Sequence, residues 1–128
     1  MARLVADVMT RRVVYLPEGT MLDEAAQAMR DQGIGDVVVT QGPTMMGMVT
    51  DRDIVIRAIA ENLPPKSTTL GSIASHELLM IEQSATVDEA VHAMRERGVR
   101  RLLVCDADRK VVGIISLSDI ALAPAAAA

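Results

Sequence analysis

The sequence predicts an α/β fold made of two copies of one β-α-β-β-α unit, and two observations support this prediction. The stretch Gly47–Ile54 returns as Gly113–Ile120, 66 residues later. In both copies a short apolar strand, an amphipathic helix and a second apolar strand come before this stretch, which itself begins at the end of a third apolar strand. One such unit cannot cover its sheet on both faces, so we expect the two repeats to pack with pseudo-twofold symmetry through their sheets.

The first half of repeat 1 contains a helical turn, a strand and a helix. Leu4–Met9 is the expected opening turn, and Val13–Leu16 is a strand that ends at the turn Pro17–Gly19. The helix that follows has apolar residues at positions i, i+3, i+4 and i+7 and ends at Gly33. This apolar face consists of Leu22, Ala25, Ala26 and Met29.

Two strands and a helix complete repeat 1. Val37–Val39 has almost no polar face, which predicts a central strand covered on both sides. The strand Met45–Val49 then leads to Thr50, and we expect a helix over Asp51–Ala60. The expected boundaries are 5–61 for repeat 1, 62–69 for a proline-containing linker, 70–123 for repeat 2 and 124–128 for a frayed tail.

Repeat 2 shows the same order of elements. Its expected opening turn is Leu70–Ala74, and its helix again ends at a glycine, Gly98. The predicted strands are Leu78–Ile81, Leu102–Cys105 and Lys110–Ile115, and the apolar helix face consists of Val87, Ala90, Val91 and Met94.

Composition narrows the class of protein. A chain of 128 residues with 50% hydrophobic content can bury a core of ordinary domain size. Cys105, the single cysteine, excludes an internal disulfide, and its apolar strand predicts a buried thiol in a reducing compartment. A net charge of -4 and a single aromatic residue, Tyr15, argue against nucleic-acid binding. No signal peptide or membrane-spanning stretch is evident, so we expect a soluble cytoplasmic protein without membrane contact.

The repeated motif places a hydroxyl residue before a helix and a carboxylate three positions later, as Thr50 with Asp53 and Ser116 with Asp119. Backbone N–H groups at a helix start attract phosphate, and an ionised carboxylate can accept hydrogen bonds from ribose hydroxyls. The same spacing is close to a capping box, in which the two side chains only satisfy each other's backbone N–H groups. The occurrence of two matched copies favours a ligand site, and the capping interpretation stays open.

Both repeats resemble CBS domains, and the chain resembles a stand-alone tandem pair, often called a Bateman module. The resemblance runs from about Val5 to Ala123. It is carried by Gly47–Ile54 and Gly113–Ile120, the pairs Glu24-Ala25 and Glu89-Ala90, and the passages Gly33–Val37 and Gly98–Leu102. The family commonly has proline inside the buried strand where this chain has Val38 and Leu103; we expect the fold to survive and the strand edge to be slightly reshaped.

The resemblance implies that adenine nucleotides or related adenosyl ligands bind in two clefts between the repeats. Each cleft would take its hydroxyl and carboxylate from one repeat and its base-binding wall from the other. One cleft would contain Thr50, Asp53, Leu78, Leu79, Val99, Arg100 and Arg101. The other would contain Ser116, Asp119, Val13, Val14, Ile34, Gly35 and Asp36.

The charges of the two walls predict unequal affinity. Arg100 and Arg101 can form charge-assisted bonds to phosphate, whereas Asp36, equivalent to Arg101, repels it. The cleft with Thr50 and Asp53 is therefore expected to fill first. The alternative is that the two arginines belong to an ordinary solvated face.

Metal binding and catalysis find little support in the sequence. His76 and His92 are far apart in the pattern, and His92 lies on the polar side of its helix, so we assign no metal. The pairs Asp51/Asp53 and Asp106/Asp108 fall in a cap and a turn, where capping or solvation explains them. We therefore assign no catalytic residues and expect the protein not to be an enzyme.

These observations predict a regulatory module in which a bound nucleotide alters a surface read by an unknown partner protein. No cofactor is required, and the expected ligand is AMP, ADP, ATP or another adenosyl compound. We also expect a homodimer, because the helix after Asp53 carries the apolar residues Val55, Ile56, Ile59 and Ala60. The alternative function is a constitutive homodimeric interaction module whose clefts are empty or vestigial.

Overall fold

Two three-stranded sheets organise residues 2–122, the part of the chain that the computed structural model describes. The predicted frayed tail, 124–128, lies outside these residues. The helices are α1 Val5–Val8, α2 Leu22–Gln32, α3 Asp51–Asp53 with a π-helix Ile54–Ile59, α4 Leu70–Ile73, α5 Val87–Arg97 and α6 Leu117–Leu122. The strands are β1 Tyr15–Pro17, β2 Asp36–Gln41, β3 Thr44–Thr50, β4 Met80–Glu82, β5 Arg101–Cys105 and β6 Val111–Ser116.

The predicted α/β class and the central strands are confirmed. The strand orders are β1-β2-β3 and β4-β5-β6, with the first two strands of each sheet parallel and the last two antiparallel. Val37, Val38 and Val39 in β2 are fully buried, as are Leu103 and Val104 in β5. The continuous apolar runs therefore mark strands covered on both faces.

The described residues form two compact units that differ from the two sequence repeats. One, the central unit, is residues 14–78; the other, the split unit, is residues 2–13 together with 79–122. In the split unit, the N–H of Val5 donates to the carbonyl of Ala85 (2.8 Å). In the central unit, the N–H of Leu70 donates to the carbonyl of Thr20 (2.9 Å). The opening turn of each repeat thus packs on the strands and helices of the other repeat.

Each opening turn leads into a β-bridge beside the last strand of its unit. Thr10 pairs with Ile114, and Ser75 pairs with Met48, in both cases through two backbone hydrogen bonds. The close approach explains two motif glycines: a Cβ on Gly47 would collide with the Ser75 carbonyl, and one on Gly113 would lie 2.7 Å from the Thr10 carbonyl oxygen. These glycines therefore make room for the docked segments.

The long helices end as predicted, but one assignment to the apolar face was wrong. Gly33 and Gly98 adopt left-handed conformations (φ 64° and 65°) that close α2 and α5. Leu22, Ala25 and Met29 are buried in α2, whereas Ala26 is exposed because it lies at the margin of the apolar stripe. On α5, Val87, Ala90 and Met94 are buried and Val91 is partly buried.

The predicted continuous α-helix over Asp51–Ala60 was also wrong. Three residues of α-helix pass into the π-helix, which closes with the N–H of Ala60 donating to the carbonyl of Val55 (2.9 Å). The run of β-branched residues in this segment is compatible with the change, since such residues weaken α-helical preference. Ala58 is fully buried, while Val55, Ile56 and Ile59 stay exposed.

The first strand of each sheet begins later than predicted, at Tyr15 and Met80. The residue before each strand still joins the ladder: the N–H of Val38 donates to Val14 (2.9 Å), and that of Leu103 donates to Leu79 (3.0 Å). Proline in place of Val38 or Leu103 would remove the N–H donor of this hydrogen bond.

No helix within 2–122 is long and apolar enough to cross a membrane.

Candidate functional site

The first corner, defined here as Thr50 and Asp53, lies where β3 passes into α3. The hydroxyl of Thr50 accepts from the backbone N–H of Asp53 (3.0 Å), and the N–H of Thr50 donates to Oδ2 of Asp53 (2.9 Å). Thr50 is extended (φ -107°, ψ 164°), as expected for a residue that precedes a helix. The corner is thus held by two reciprocal hydrogen bonds.

The backbone N–H groups of this corner already have acceptors. The N–H of Asp51 donates to the carbonyl of Gly35 (2.9 Å), and that of Arg52 donates to Oδ1 of Asp51 (2.8 Å). Together with the Asp53 N–H, this satisfies the first three donors of the helix. A phosphate held by these N–H groups, as the sequence suggested, would have to displace existing hydrogen bonds. The Asp53 carboxylate and the Thr50 hydroxyl proton are the groups better placed for a ligand.

The second corner, Ser116 and Asp119, has the same geometry. The N–H of Asp119 donates to the Ser116 hydroxyl (3.1 Å), and the N–H of Ser116 donates to Oδ2 of Asp119 (3.2 Å). The N–H of Leu117 donates to the carbonyl of Arg100 (3.0 Å), matching the bond to Gly35 in the first corner. Both corners are therefore capping boxes, and a ligand-binding role would be added to that structural role.

The two carboxylates have different neighbours, neither of which the sequence analysis identified. Oδ1 of Asp53 lies 3.7 Å from Nε of Arg57, beyond hydrogen-bond distance but within ion-pair range. The Asp119 carboxylate lies 3.4 Å from the hydroxyl of Thr10. Arg57 could have been found from its i, i+4 spacing to Asp53. Thr10 is 109 residues away and gives no local signal.

Two of the predicted wall residues, Asp36 and Arg101, lie opposite the corner of their own unit. In the β2–β3 register Asp36 is opposite Thr50, and in the β5–β6 register Arg101 is opposite Ser116. The central unit contains Val14, Ile34, Gly35, Asp36 and Leu78 with the first corner; the split unit contains Val13, Leu79, Val99, Arg100 and Arg101 with the second. The predicted combinations of residues across the repeats stay predictions.

An open depression of about 460 Å³ in the split unit lies away from these residues. It occupies the end of the β4–β5–β6 sheet where Glu82 pairs with Cys105, whereas Arg101 and Ser116 pair at the other end. Its lining is Met80, Ile81, Glu82, Ser84, Ala85, Glu89 and Arg109. None of these is a predicted site residue.

The other polar candidates have structural partners. Oδ1 of Asp106 accepts from the N–H groups of Asp108 and Lys110 and so shapes a turn. His92 lies 3.3 Å from Glu96 on an exposed helix face. Among residues 2–122, no three His, Cys, Asp or Glu side chains converge on a point suited to a metal ion.

Comparison with known proteins finds relatives along nearly the whole chain. Hypoxic response protein 1 of Mycobacterium tuberculosis is 35% identical over 116 residues, covering 90% of this chain and 80% of the relative. The uncharacterized protein MK0525 of Methanopyrus kandleri is 33% identical over 117 residues, covering 91% of this chain. This chain spans only 60% of that relative's length.

Solved structures show the same fold. Hypoxic Response Protein I, solved with two coordinated zinc ions, superposes with a TM-score of 0.70 at 34% identity, covering 92% of this chain and 96% of that chain. The CBS domain pair of protein MJ0100, in complex with 5′-methylthioadenosine and S-adenosyl-L-methionine, gives 0.80 at 23% identity, covering 94% of each chain. A hexameric cyanobacterial CBS-CP12 protein gives 0.86 at 23% identity, covering 95% of this chain and 68% of that chain.

The family model for the CBS domain matches this sequence twice, at residues 5–59 and 70–126. The two matches leave residues 1–4, 60–69 and 127–128 outside them. The chain therefore belongs to the CBS domain family and carries a tandem pair of CBS domains.

Proposed function

We propose that the chain is a non-catalytic regulatory module that binds an adenine nucleotide or a related adenosyl ligand at its hydroxyl–carboxylate corners. The observation that carries this proposal is the arrangement of Asp53. Its Oδ2 holds the helix cap, while within residues 2–122 its Oδ1 makes the longer contact to Arg57, and the side chain is 22% exposed. A partly buried carboxylate of this kind is suited to accept hydrogen bonds from the two neighbouring hydroxyls of a ribose.

The chemistry of known ligands of this fold supports the same class. The MJ0100 domain pair holds two adenosyl compounds, one with a sulfonium group and one without. Both have the ribose hydroxyls that the corner would recognise, and neither has a phosphate. We propose AMP, ADP, ATP or another adenosyl compound as the ligand, with the ribose as the shared determinant.

The proposed walls follow the family resemblance. The first corner would be completed by Leu78, Leu79, Val99, Arg100 and Arg101, and the second by Val13, Val14, Ile34, Gly35 and Asp36. Under this arrangement, the arginines favour phosphate at Thr50 and Asp53. The register supports a competing arrangement, because Arg101 lies directly opposite Ser116 in the same sheet. If a ligand with a phosphate binds one corner more tightly than the other, the arginines belong to the wall of the corner that binds it more tightly.

A second candidate function is constitutive homodimerisation, supported by the exposed apolar face of the π-helix. Val55, Ile56 and Ile59 are 57%, 46% and 51% exposed, and all three lie within one short segment. Burying these side chains in a subunit interface would remove apolar surface from water. The corners would then serve only as helix caps, with no ligand.

A panel thermal-shift assay with AMP, ADP, ATP, NAD and S-adenosylmethionine distinguishes the two functions. A ligand that binds only the folded state adds about 2.7 kcal/mol of stability at a hundredfold excess over its dissociation constant. The matched variants are Asp53→Asn and Asp119→Asn, because asparagine keeps an oxygen for the cap while removing the charge. We expect these variants to lose about 1.5 to 3 kcal/mol of binding free energy with little change in fold stability. If no compound raises the melting temperature of the parent, the ligand-binding proposal is wrong.

A further inference from the structure

Arg57 joins the first corner to a distant part of the central unit. Its Nε lies 3.7 Å from Oδ1 of Asp53, and its Nη1 donates to the carbonyl of Ile73 at 3.2 Å. One guanidinium therefore faces two groups that are 20 residues apart in the chain. Because the guanidinium is planar and rigid, the position of Nε relative to Asp53 constrains the position of Nη1 relative to Ile73.

The Ile73 carbonyl belongs to the end of α4, in the segment that docks on the central unit. This segment, Leu70–Ser75, continues into the β-bridge in which Ser75 and Met48 exchange two hydrogen bonds of 3.0 Å. Met48 lies two residues before Thr50, in the strand that delivers the corner. The contacts thus connect Asp53, through Arg57 and the docked segment, to β3, the strand that leads to the same corner.

The split unit offers an internal comparison. Its corresponding bridge, between Thr10 and Ile114, has hydrogen bonds of 2.8 and 2.9 Å. Its carboxylate, Asp119, faces the hydroxyl of Thr10 directly. With the offset of 66 residues, the position equivalent to Arg57 is Ala123, which has no charge or hydrogen-bonding side chain. The sequence therefore provides a guanidinium at this position in the first repeat but not in the second.

We propose that Arg57 is a positioning residue that couples the carboxylate charge and the ligand occupancy of Asp53 to the docking of Leu70–Ser75. The coupling to occupancy rests on the proposed function, in which a ribose binds Asp53. A hydroxyl that donates to Oδ1 holds the carboxylate in place, which in turn keeps the guanidinium on the Ile73 carbonyl. Ligand binding at the first corner then tightens the Ser75–Met48 bridge.

Amide hydrogen exchange of the full chain without nucleotide tests the first half of this proposal. Arg57→Met removes both contacts and should lower protection of the Ser75 and Met48 amides about tenfold, as expected for loss of a hydrogen bond to a charged group. Asp53→Asn keeps an oxygen for the cap but replaces the charged oxygen that faces Arg57 with an uncharged NH2 group, and should lower protection at the same amides about two- to fivefold. The Thr10 and Ile114 amides should not change in either variant.

Three outcomes decide the first half. Reduced protection in both variants, confined to the Ser75–Met48 bridge, supports the coupling. Reduced protection in Arg57→Met alone shows a local structural bond and overturns it, as does unchanged protection in both. Arg57→Lys, which keeps the charge but not the planar two-point contact, is the second variant in case the methionine substitution fails to fold; it should fall between parent and Arg57→Met.

Adding AMP tests the second half. In the parent, saturating AMP should raise protection of the Ser75 and Met48 amides at least about fivefold more than it raises protection of other amides. A factor of this size is typical of coupling between two sites. In Arg57→Met this excess should disappear. An equal excess in both proteins overturns the coupling to ligand. If the parent binds no AMP, the proposed function fails for this ligand, and the nucleotide-free comparison still decides whether Asp53 and the docked segment are coupled.

Discussion

Replacing Gly47 with alanine would probe the docking of the Leu70–Ser75 segment on β3. A Cβ at this position would lie well inside van der Waals contact with the Ser75 carbonyl oxygen, 3.1 Å from the carbonyl carbon and 3.4 Å from Cβ of Ala74. The carbonyl would have to withdraw by about 1 Å to reach an ordinary separation. The hydrogen bond that it accepts from Met48, now 3.0 Å, would then be too long to persist.

We expect Gly47→Ala to lower the free energy of unfolding by about 1 to 3 kcal/mol, the usual cost of adding a methyl group to a closely packed site. Urea denaturation followed by circular dichroism measures this. Gly19→Ala is the matched control: its Cβ would meet nothing within 4 Å, so the change should be neutral or stabilising by up to about 1 kcal/mol. If Gly47→Ala and Gly19→Ala are equally stable, the docked segment does not approach β3 as closely as described and the reasoning is refuted.

Three further changes test the corners and the exposed helix. Asp119→Ala should cost about 0.5 to 2 kcal/mol of stability, because the hydrogen bond that its carboxylate accepts from the Ser116 N–H is lost. In calorimetry it should also weaken nucleotide binding; a stability loss alone would leave capping as its only role. Ile59→Glu should shift a dimer toward monomer in sedimentation at tens of micromolar protein, whereas a parent that is already monomeric would contradict the dimer proposal. Arg101→Ala should weaken AMP binding more at low salt than at high salt. Double variants with Thr50→Ala or Ser116→Ala show at which corner Arg101 contributes to binding. If Arg101→Ala has no effect on binding at any salt concentration, Arg101 belongs to a solvated face.

Local sequence patterns predicted part of the geometry of the two corners, but not all of it. The spacing of Thr50 to Asp53 and of Ser116 to Asp119 predicted both capping geometries, because all the atoms involved lie within one helical turn. The same pattern could not show that the N–H of Asp51 would be taken by the Gly35 carbonyl. That bond depends on how the strands pair, and it redirects the expected ligand contact from the backbone to the carboxylate.

The sequence by itself determined the α/β class, the two repeats, the central strands and the glycine helix ends. These features depend on apolar periodicity and on backbone conformations that few residues other than glycine adopt, and both can be read over short stretches. Only the tertiary structure decided that each opening turn docks on the other repeat, that Thr10 contacts Asp119, and that Arg57 links Asp53 to Ile73. Contacts of this kind join residues 16 to 109 positions apart. They are selected by the shapes and charges of assembled surfaces, which no local pattern specifies.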